Sequence, residues 1–248
     1  MLNCLLAVYL VSATPSGARD LTVPLLEPLG AVIIDPGHGG RDPGAVVLQH
    51  QQQVMEKDIN LSVAHKLKDL LDVHAPEIDV YLTREDDTYQ SLPARVQMAA
   101  QVLPPEGTSK VYLSIHTNAA VVPEASGFEV WINRGDVTAY IAPTVEDAYL
   151  KRRIEEIDRT LHRELKDGTD ALADAMIESL RDQVGEYMPS RGIRHQDFYV
   201  IRYSQMPSVL VEMGFMTNPS ELEQLLDESF QMLIARGMLS ALLEYRSR

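Results

Sequence analysis

The stretch Ala31-Val32-Ile33-Ile34-Asp35-Pro36-Gly37-His38-Gly39-Gly40 governs the reading of the whole chain. An apolar run of strand length ends at Asp35-Pro36, and glycines then surround a histidine, allowing close backbone approach and positive φ at the turn. No Lys-Ser or Lys-Thr follows, so the loop is not a phosphate cradle. Further strand-like runs lie at 79–83, 111–116, 127–132, 198–201 and 208–212. Helical patterns separate them. Between residues 56 and 73, Ile59, Val63, Leu67, Leu70 and Leu71 recur three or four apart and lay one apolar stripe on a sheet. Such alternation predicts an α/β layered fold, a single domain with a mostly parallel or mixed central sheet flanked by helices. In these folds active groups gather outside the carboxyl ends of strands, where His38, His116 and Glu212 all fall.

Ser114-Ile115-His116-Thr117-Asn118 ends the run Val111-Tyr112-Leu113, and Glu56 opens the first long helical pattern. Two imidazoles and one carboxylate suit a catalytic zinc ion, which takes three protein groups and leaves the fourth position to water. Two neutral histidines and one glutamate cancel one of its two charges, so the ion still acidifies water and polarises a carbonyl. The compact helical His-Glu-x-x-His pattern is absent, and the lone Cys4 excludes a thiolate site. Glu212, in Ser208-Val209-Leu210-Val211-Glu212-Met213-Gly214-Phe215, ends another apolar run. A charge there must face something polar, and beside an activated water it would serve as general base. Each residue has a plainer reading too: Glu56 as a carboxylate complementing a helix dipole, His116 as a satisfied core histidine.

In these segments the chain resembles the zinc-dependent N-acetylmuramoyl-L-alanine amidases of the type 3 cell-wall hydrolase family. The resemblance is carried by residues 33–40, Glu56-Lys57-Asp58-Ile59-Asn60-Leu61, Leu82-Thr83-Arg84, Ser114-Ile115-His116-Thr117-Asn118-Ala119, and Val211-Glu212-Met213-Gly214-Phe215-Met216-Thr217-Asn218, in the family's order. It implies one Zn2+ ion held by His38, Glu56 and His116, with Glu212 as the catalytic carboxylate. The implied reaction is hydrolysis of the amide between the lactyl group of N-acetylmuramic acid and L-alanine in peptidoglycan. The rival readings are a zinc peptidase acting on the stem peptide and a noncatalytic wall-binding protein.

Hydrophobic residues make up 45% of the 248-residue chain and charged residues 23%, as in an ordinary globular protein. A formal net charge of -14 excludes the basic stripe that a nucleic-acid partner would need. Leu5-Leu6-Ala7-Val8-Tyr9-Leu10-Val11 is too short to span a bilayer but has the length of a signal-peptide core, with Val11-Ser12-Ala13 offering small residues for cleavage. The expected organisation is a signal peptide at 1–13, a linker at 14–28 and a catalytic domain at 29–248, in a protein exported to the periplasm or the extracellular wall.

Residues 133–172 are long for the family and read as a helical insertion, since Leu150, Ile154, Ile157 and Leu161 recur at helical spacing. A separate helix is expected at 173–184. Some relatives of this kind carry an insertion helix that covers the zinc cleft until an activator protein moves it. By that analogy Glu155 or Glu156 would gate the site; a charged surface hairpin with no regulatory part is the alternative. Asp35 and Asn118 are candidates for orienting the imidazoles, Arg84 and Arg95 for holding loops, and His195 for contacting substrate. Asn218 and Pro219 announce a helix, and a last amphipathic helix runs over about 230–245.

Overall fold

The computed structural model describes residues 27–134 and 148–247, so the expected signal peptide and all but the end of the expected linker lie outside the described residues. The strands are β1 (Leu29–Pro36), β2 (Val46–Gln49), β3 (Gln52–Met55), β4 (Asp79–Leu82), β5 (Ser109–Asn118), β6 (Phe128–Ile132), β7 (Ser190–His195) and β8 (Ser208–Phe215). The helices are α1 (Glu56–His74), α2 (Leu92–Gln101), α3 (Ala148–Val184), α4 (Tyr199–Tyr203), α5 (Pro219–Leu226) and α6 (Glu228–Arg246). Six strands form one sheet in the order β4-β1-β5-β8-β6-β7, and β2 pairs with β3 as a separate hairpin. The first four strands of that order are parallel, β6 is antiparallel to β8, and β7 is parallel to β6. This is the mixed, helix-flanked α/β sheet that the alternating pattern predicts.

A parallel strand flanked on both sides must bury both faces, and β1 is buried at every position. Val32 and Ile34 face one core with Val63, Leu67, Met176 and Met238, which α1, α3 and α6 supply. Ile33 points the other way, into a smaller cluster with Tyr112, Leu210, Val200 and Ile201. Leu67 and Leu71 are wholly buried on α1. Truncating either to alanine should cost about 2–5 kcal/mol, since the site cannot collapse fully around the void.

The chain at 198–201 departs from its expected strand. Phe198 caps α4, and Val200 and Ile201 are buried against Ile33 and Leu210 by a short helix instead. The edge position beside β6 is already taken by β7, and helical spacing still turns apolar side chains inward. The two helical patterns around 150–161 and 173–184 are likewise one continuous helix, α3. Gly168 does not interrupt it, because one glycine in a helix interior costs only about 1 kcal/mol and no proline intervenes. A side chain there would meet Pro207 Cγ at 2.8 Å and Tyr245 Oη at 3.2 Å, so the glycine lets α3 pass close over its neighbours. The C-terminal part of α3 buries Leu172, Met176 and Leu180, while Glu155, Glu156 and Leu161 in its N-terminal part are exposed. α5 starts as expected, with Asn218 accepting from the Ser220 and Glu221 amides and Pro219 in the first turn.

Candidate metal centre and catalytic cleft

His38 leaves the carboxyl end of β1 with φ +62°, an unusual value for a residue with a side chain. Two buried arginines hold this backbone. Arg84 donates through Nε to Pro36 O at 2.9 Å and through Nη2 to Gly37 O at 2.9 Å and Lys57 O at 2.7 Å. Arg95 donates through Nη1 to Pro36 O at 2.9 Å, through Nη2 to His38 O, and through Nη1 to the buried Asp35 carboxylate at 2.6 Å. Burial alone would raise the pKa of Asp35, but Arg95 and the Thr83 hydroxyl outweigh it and hold the group below its ordinary value. The arginines are therefore loop clamps. Asp35 spends its oxygens on Arg95, Thr83 and Ser114, not on an imidazole.

Glu56 is the first residue of α1, a helix with no side-chain cap. Its first two amides instead donate to Ala45 O at 2.9 Å and Pro43 O at 3.2 Å, which ties the helix start to the loop that follows His38. The Glu56 carboxylate is nearly saturated with donors: Ala45 N at 2.9 Å, Thr117 N at 3.2 Å and Asn60 Nδ2 at 3.1 Å. Asn60, one helical turn on, also accepts from Thr117 Oγ1 at 2.9 Å and so links α1 to the strand that carries His116. Its spacing of four from Glu56 was the available signal for this role, which the reading of the sequence left unassigned.

His38 Nε2 lies 3.1 Å from Glu56 Oε2 and His116 Nδ1 lies 2.9 Å from Glu56 Oε1. One donor atom from each of His38, Glu56 and His116 falls within 4.8 Å of the others. These three form a possible metal site. Donors around a tetrahedral zinc at 2.0–2.1 Å stand roughly 3.3 Å apart, so the two imidazole-to-carboxylate distances are close to that spacing, while the set as a whole, within 4.8 Å, would draw in to close on an ion. The rings are 5.0 Å apart, nearly perpendicular. Gly37 and Gly44 make the room: a side chain at Gly37 would strike the His116 ring at 2.2 Å, and one at Gly44 would strike Glu56 Oε2 at 2.5 Å and His38 Cδ2 at 2.6 Å. Asp42 Oδ2 stands 2.9 Å from His38 Nδ1, although Nδ1 makes no well-directed hydrogen bond. Asp42 is the residue placed to orient His38, a part that Asp35 was expected to play.

Electrostatics follow this packing. Burial would raise the pKa of Glu56, but the hydrogen bonds and charges of His116 and His38 prevail and push it far down. Burial would lower that of His38, but Glu56 and Asp42 raise it.

Glu212 on β8 is the register partner of His116 and lines the same cleft, a space of about 360 Å³ walled on its other side by Leu92, Phe198 and Tyr199. Its Oε2 is shielded from solvent and has no hydrogen-bond partner among the described residues. Burial, then the negative charges of Glu56 and Glu129, drive its pKa well above the ordinary carboxylate value. A buried unsatisfied carboxylate oxygen is costly, and such groups concentrate at sites of function. Among the described residues none of α3 lines the cleft, and Glu155 and Glu156 are exposed. His195 lines a different cavity, against α3. Asn118 does line the cleft but donates to Glu129 at 2.8 Å rather than to an imidazole.

Comparison with known proteins places this architecture. The family model described as N-acetylmuramoyl-L-alanine amidase matches residues 32–244. The crystal structure of an N-acetylmuramoyl-L-alanine amidase from Clostridium difficile 630 is 32% identical, with a TM-score of 0.68 over 88% of this chain and 97% of that one. The N-acetylmuramoyl-L-alanine amidase AmiA of Escherichia coli is 28% identical over 86% of this chain and 75% of that protein. The CwlD amidase of Clostridioides difficile, solved in complex with the GerS lipoprotein, is 25% identical, with a TM-score of 0.67 over 88% of this chain and 98% of that one.

Proposed function

Since the chain belongs to the N-acetylmuramoyl-L-alanine amidase family and hydrolyses the lactyl-to-L-alanine amide of peptidoglycan, we propose that it does so with one zinc ion held by His38, Glu56 and His116 and with Glu212 as the catalytic carboxylate. The observation that carries this reading is the meeting of two imidazoles, one donor-saturated carboxylate and one carboxylate with an unpartnered oxygen in a single cleft. The donor set is all nitrogen and oxygen, carries one negative charge and gathers within 4.8 Å, which fits zinc. When bound there, zinc acidifies a water and polarises the carbonyl of the amide.

The chain's own residues do the rest. Glu212 Oε2 takes the proton of the attacking water and hands it to the leaving nitrogen of L-alanine. Its raised pKa suits both halves of that transfer, because an ordinary carboxylate would hold the proton too weakly to return it. Asn60 and the Ala45 and Thr117 amides fix the Glu56 carboxylate, so it would be held for a metal and would not compete for the water's proton. Leu92, Phe198 and Tyr199 offer an apolar wall that strips water from the bond to be cut.

Peptidoglycan lies outside the cytoplasmic membrane, which supports export to the periplasm or wall; among the described residues no helix is long and apolar enough to cross a membrane. The exposed Glu155, Glu156 and Leu161 of α3 support a further reading, that a partner protein engages this helix, and the complex of CwlD with a lipoprotein supports it by analogy. Removing residues 144–169 and finding unchanged hydrolysis without any partner would exclude that regulatory part. The central test is a muropeptide digest with purified protein, chelated and then restored with zinc. Mass analysis should show glycan with free lactyl groups and intact stem peptides beginning at L-alanine; cuts within the stem peptide, or activity indifferent to chelation, would overturn the proposal.

A further inference from the structure

Two arginines of the edge strand β7 have no task in this reaction. Arg191 Nε donates to Glu129 Oε2 at 2.7 Å, and Arg194 Nε lies 3.7 Å from the same oxygen. Glu129 is 2% exposed, and its other oxygen accepts from Asn118 Nδ2 at 2.8 Å and Trp131 Nε1 at 3.2 Å. One buried carboxylate needs one cationic partner. Here two guanidinium groups face it, and one positive charge is left over in a chain whose formal net charge is -14. Both arginines reach solvent, with side chains 35% and 46% exposed. The Arg191 guanidinium also lies over the Phe215 ring, 5.0 Å from its centroid.

The position of this pair is as informative as its charge. Glu129 is the cross-strand partner of Glu212, and Arg194 is the partner of Trp131, two residues along β6 and hence on the same face. Asn118 lines the cleft. The path from cleft wall to Arg191 therefore runs through Asn118 and Glu129, two hydrogen bonds long.

We propose that Arg191 and Arg194 form an anion subsite that receives a carboxylate of the peptide half of the substrate, about two residues beyond the amide that is cut. This rests on the amidase reading and deepens it. An extended peptide advances about 3.3 Å per residue, so a carboxylate on the second residue stands roughly 7 Å past the scissile nitrogen, beyond the residues that would hold the metal. Guanidinium forks match carboxylates in geometry as well as charge. The second residue of a wall stem peptide carries either a free carboxylate or its amide, and the subsite selects the acid.

The test separates binding from turnover. Calorimetric titration of the zinc-loaded protein with L-alanyl-D-glutamate peptides and with their amidated counterparts should show the acid bound about tenfold more tightly, and Arg194→Gln should bring that ratio close to one. Arg194 is the informative position, because Arg191 still neutralises Glu129 in the variant; Arg194→Lys, which keeps charge without the fork, should retain part of the preference. Hydrolysis of N-acetylmuramoyl dipeptides of both kinds should place the difference in KM rather than kcat. Equal binding of acid and amide by the unaltered protein, binding of neither, or an undiminished preference in Arg194→Gln would overturn the subsite. Selective binding of the acid peptide with cleavage of neither dipeptide would instead overturn the amidase chemistry and leave the subsite standing.

Discussion

Two carboxylates share one cleft and live opposite lives. Glu56, at the junction of α1 and the β1 loop, accepts from two backbone amides and Asn60 and sits against two imidazoles. Glu212, on β8, has an oxygen cut off from solvent with no partner, and the charges of Glu56 and Glu129 oppose its ionisation. The first environment stabilises a permanent anion, the second a carboxyl that changes its protonation cheaply. Holding a metal needs the former and moving a proton needs the latter, so burial, hydrogen-bond supply and neighbouring charge together support the proposed division of labour.

The strongest way to break this comparison is at Glu212. Glu212→Gln should lower kcat by about 10²–10⁴-fold while metal content stays at that of the unaltered protein. Parallel rate and metal analyses check it, and a near-normal rate would remove Glu212 from the mechanism. On the other side, Arg95→Met leaves the buried Asp35 carboxylate without its cation and frees the backbone of His38. It should cost about 3–5 kcal/mol in denaturant unfolding, a buried charge having lost its partner. A loss below 1 kcal/mol would show that the clamp carries little. A finer cut is Asn60→Ala, which removes one donor from Glu56; metal affinity should fall about 10–100-fold by competition with a chelating dye, with the fold intact.

The smallest effect lies in pH. In the metal-free protein, thermal stability should fall as pH rises from about 5 to about 8. The raised pKa of His38 contributes stability that is complete below the ordinary histidine value and disappears as pH climbs through the raised one. The raised pKa of Glu212 adds a cost that starts above the ordinary carboxylate value and grows with pH until its own pKa is passed. Glu56, with its depressed pKa, acts only on the acid side, where its contribution is lost as pH falls. A bound divalent ion supplies the missing positive charge, so melting curves with zinc should be flatter over the same range. Coincident curves with and without metal would contradict the arrangement.

How much of this was legible without coordinates differs between the two halves of the sheet. β1, β5 and β8 are apolar runs that end in the residues of the cleft, and their burial on both faces leaves no ambiguity of period. At the other edge, Ser190–His195 is polar and half-exposed and carries no apolar signal, while the apolar 198–201 resembled a strand and is a helical turn. The hairpin of β2 and β3 is also weakly apolar, and its exposed Leu48 gave no periodicity to follow. Glu129 was missed for a related reason: one acidic residue in Phe128–Ile132 looks like a solvent-facing position, and only the partner strands make it buried.

The sequence by itself determined the α/β alternation, the residues delivered to the strand ends and the family they belong to, because these depend on local period and on short motifs with strict chemistry. Tertiary structure alone decided which carboxylate is saturated and which is left wanting, that Asp42 rather than Asp35 faces His38, that α3 runs unbroken from 148 to 184, and that two arginines crowd one buried glutamate. Those are properties of distance between segments far apart in the chain, and a side chain's charge state is set by its neighbours in space, which no local pattern encodes.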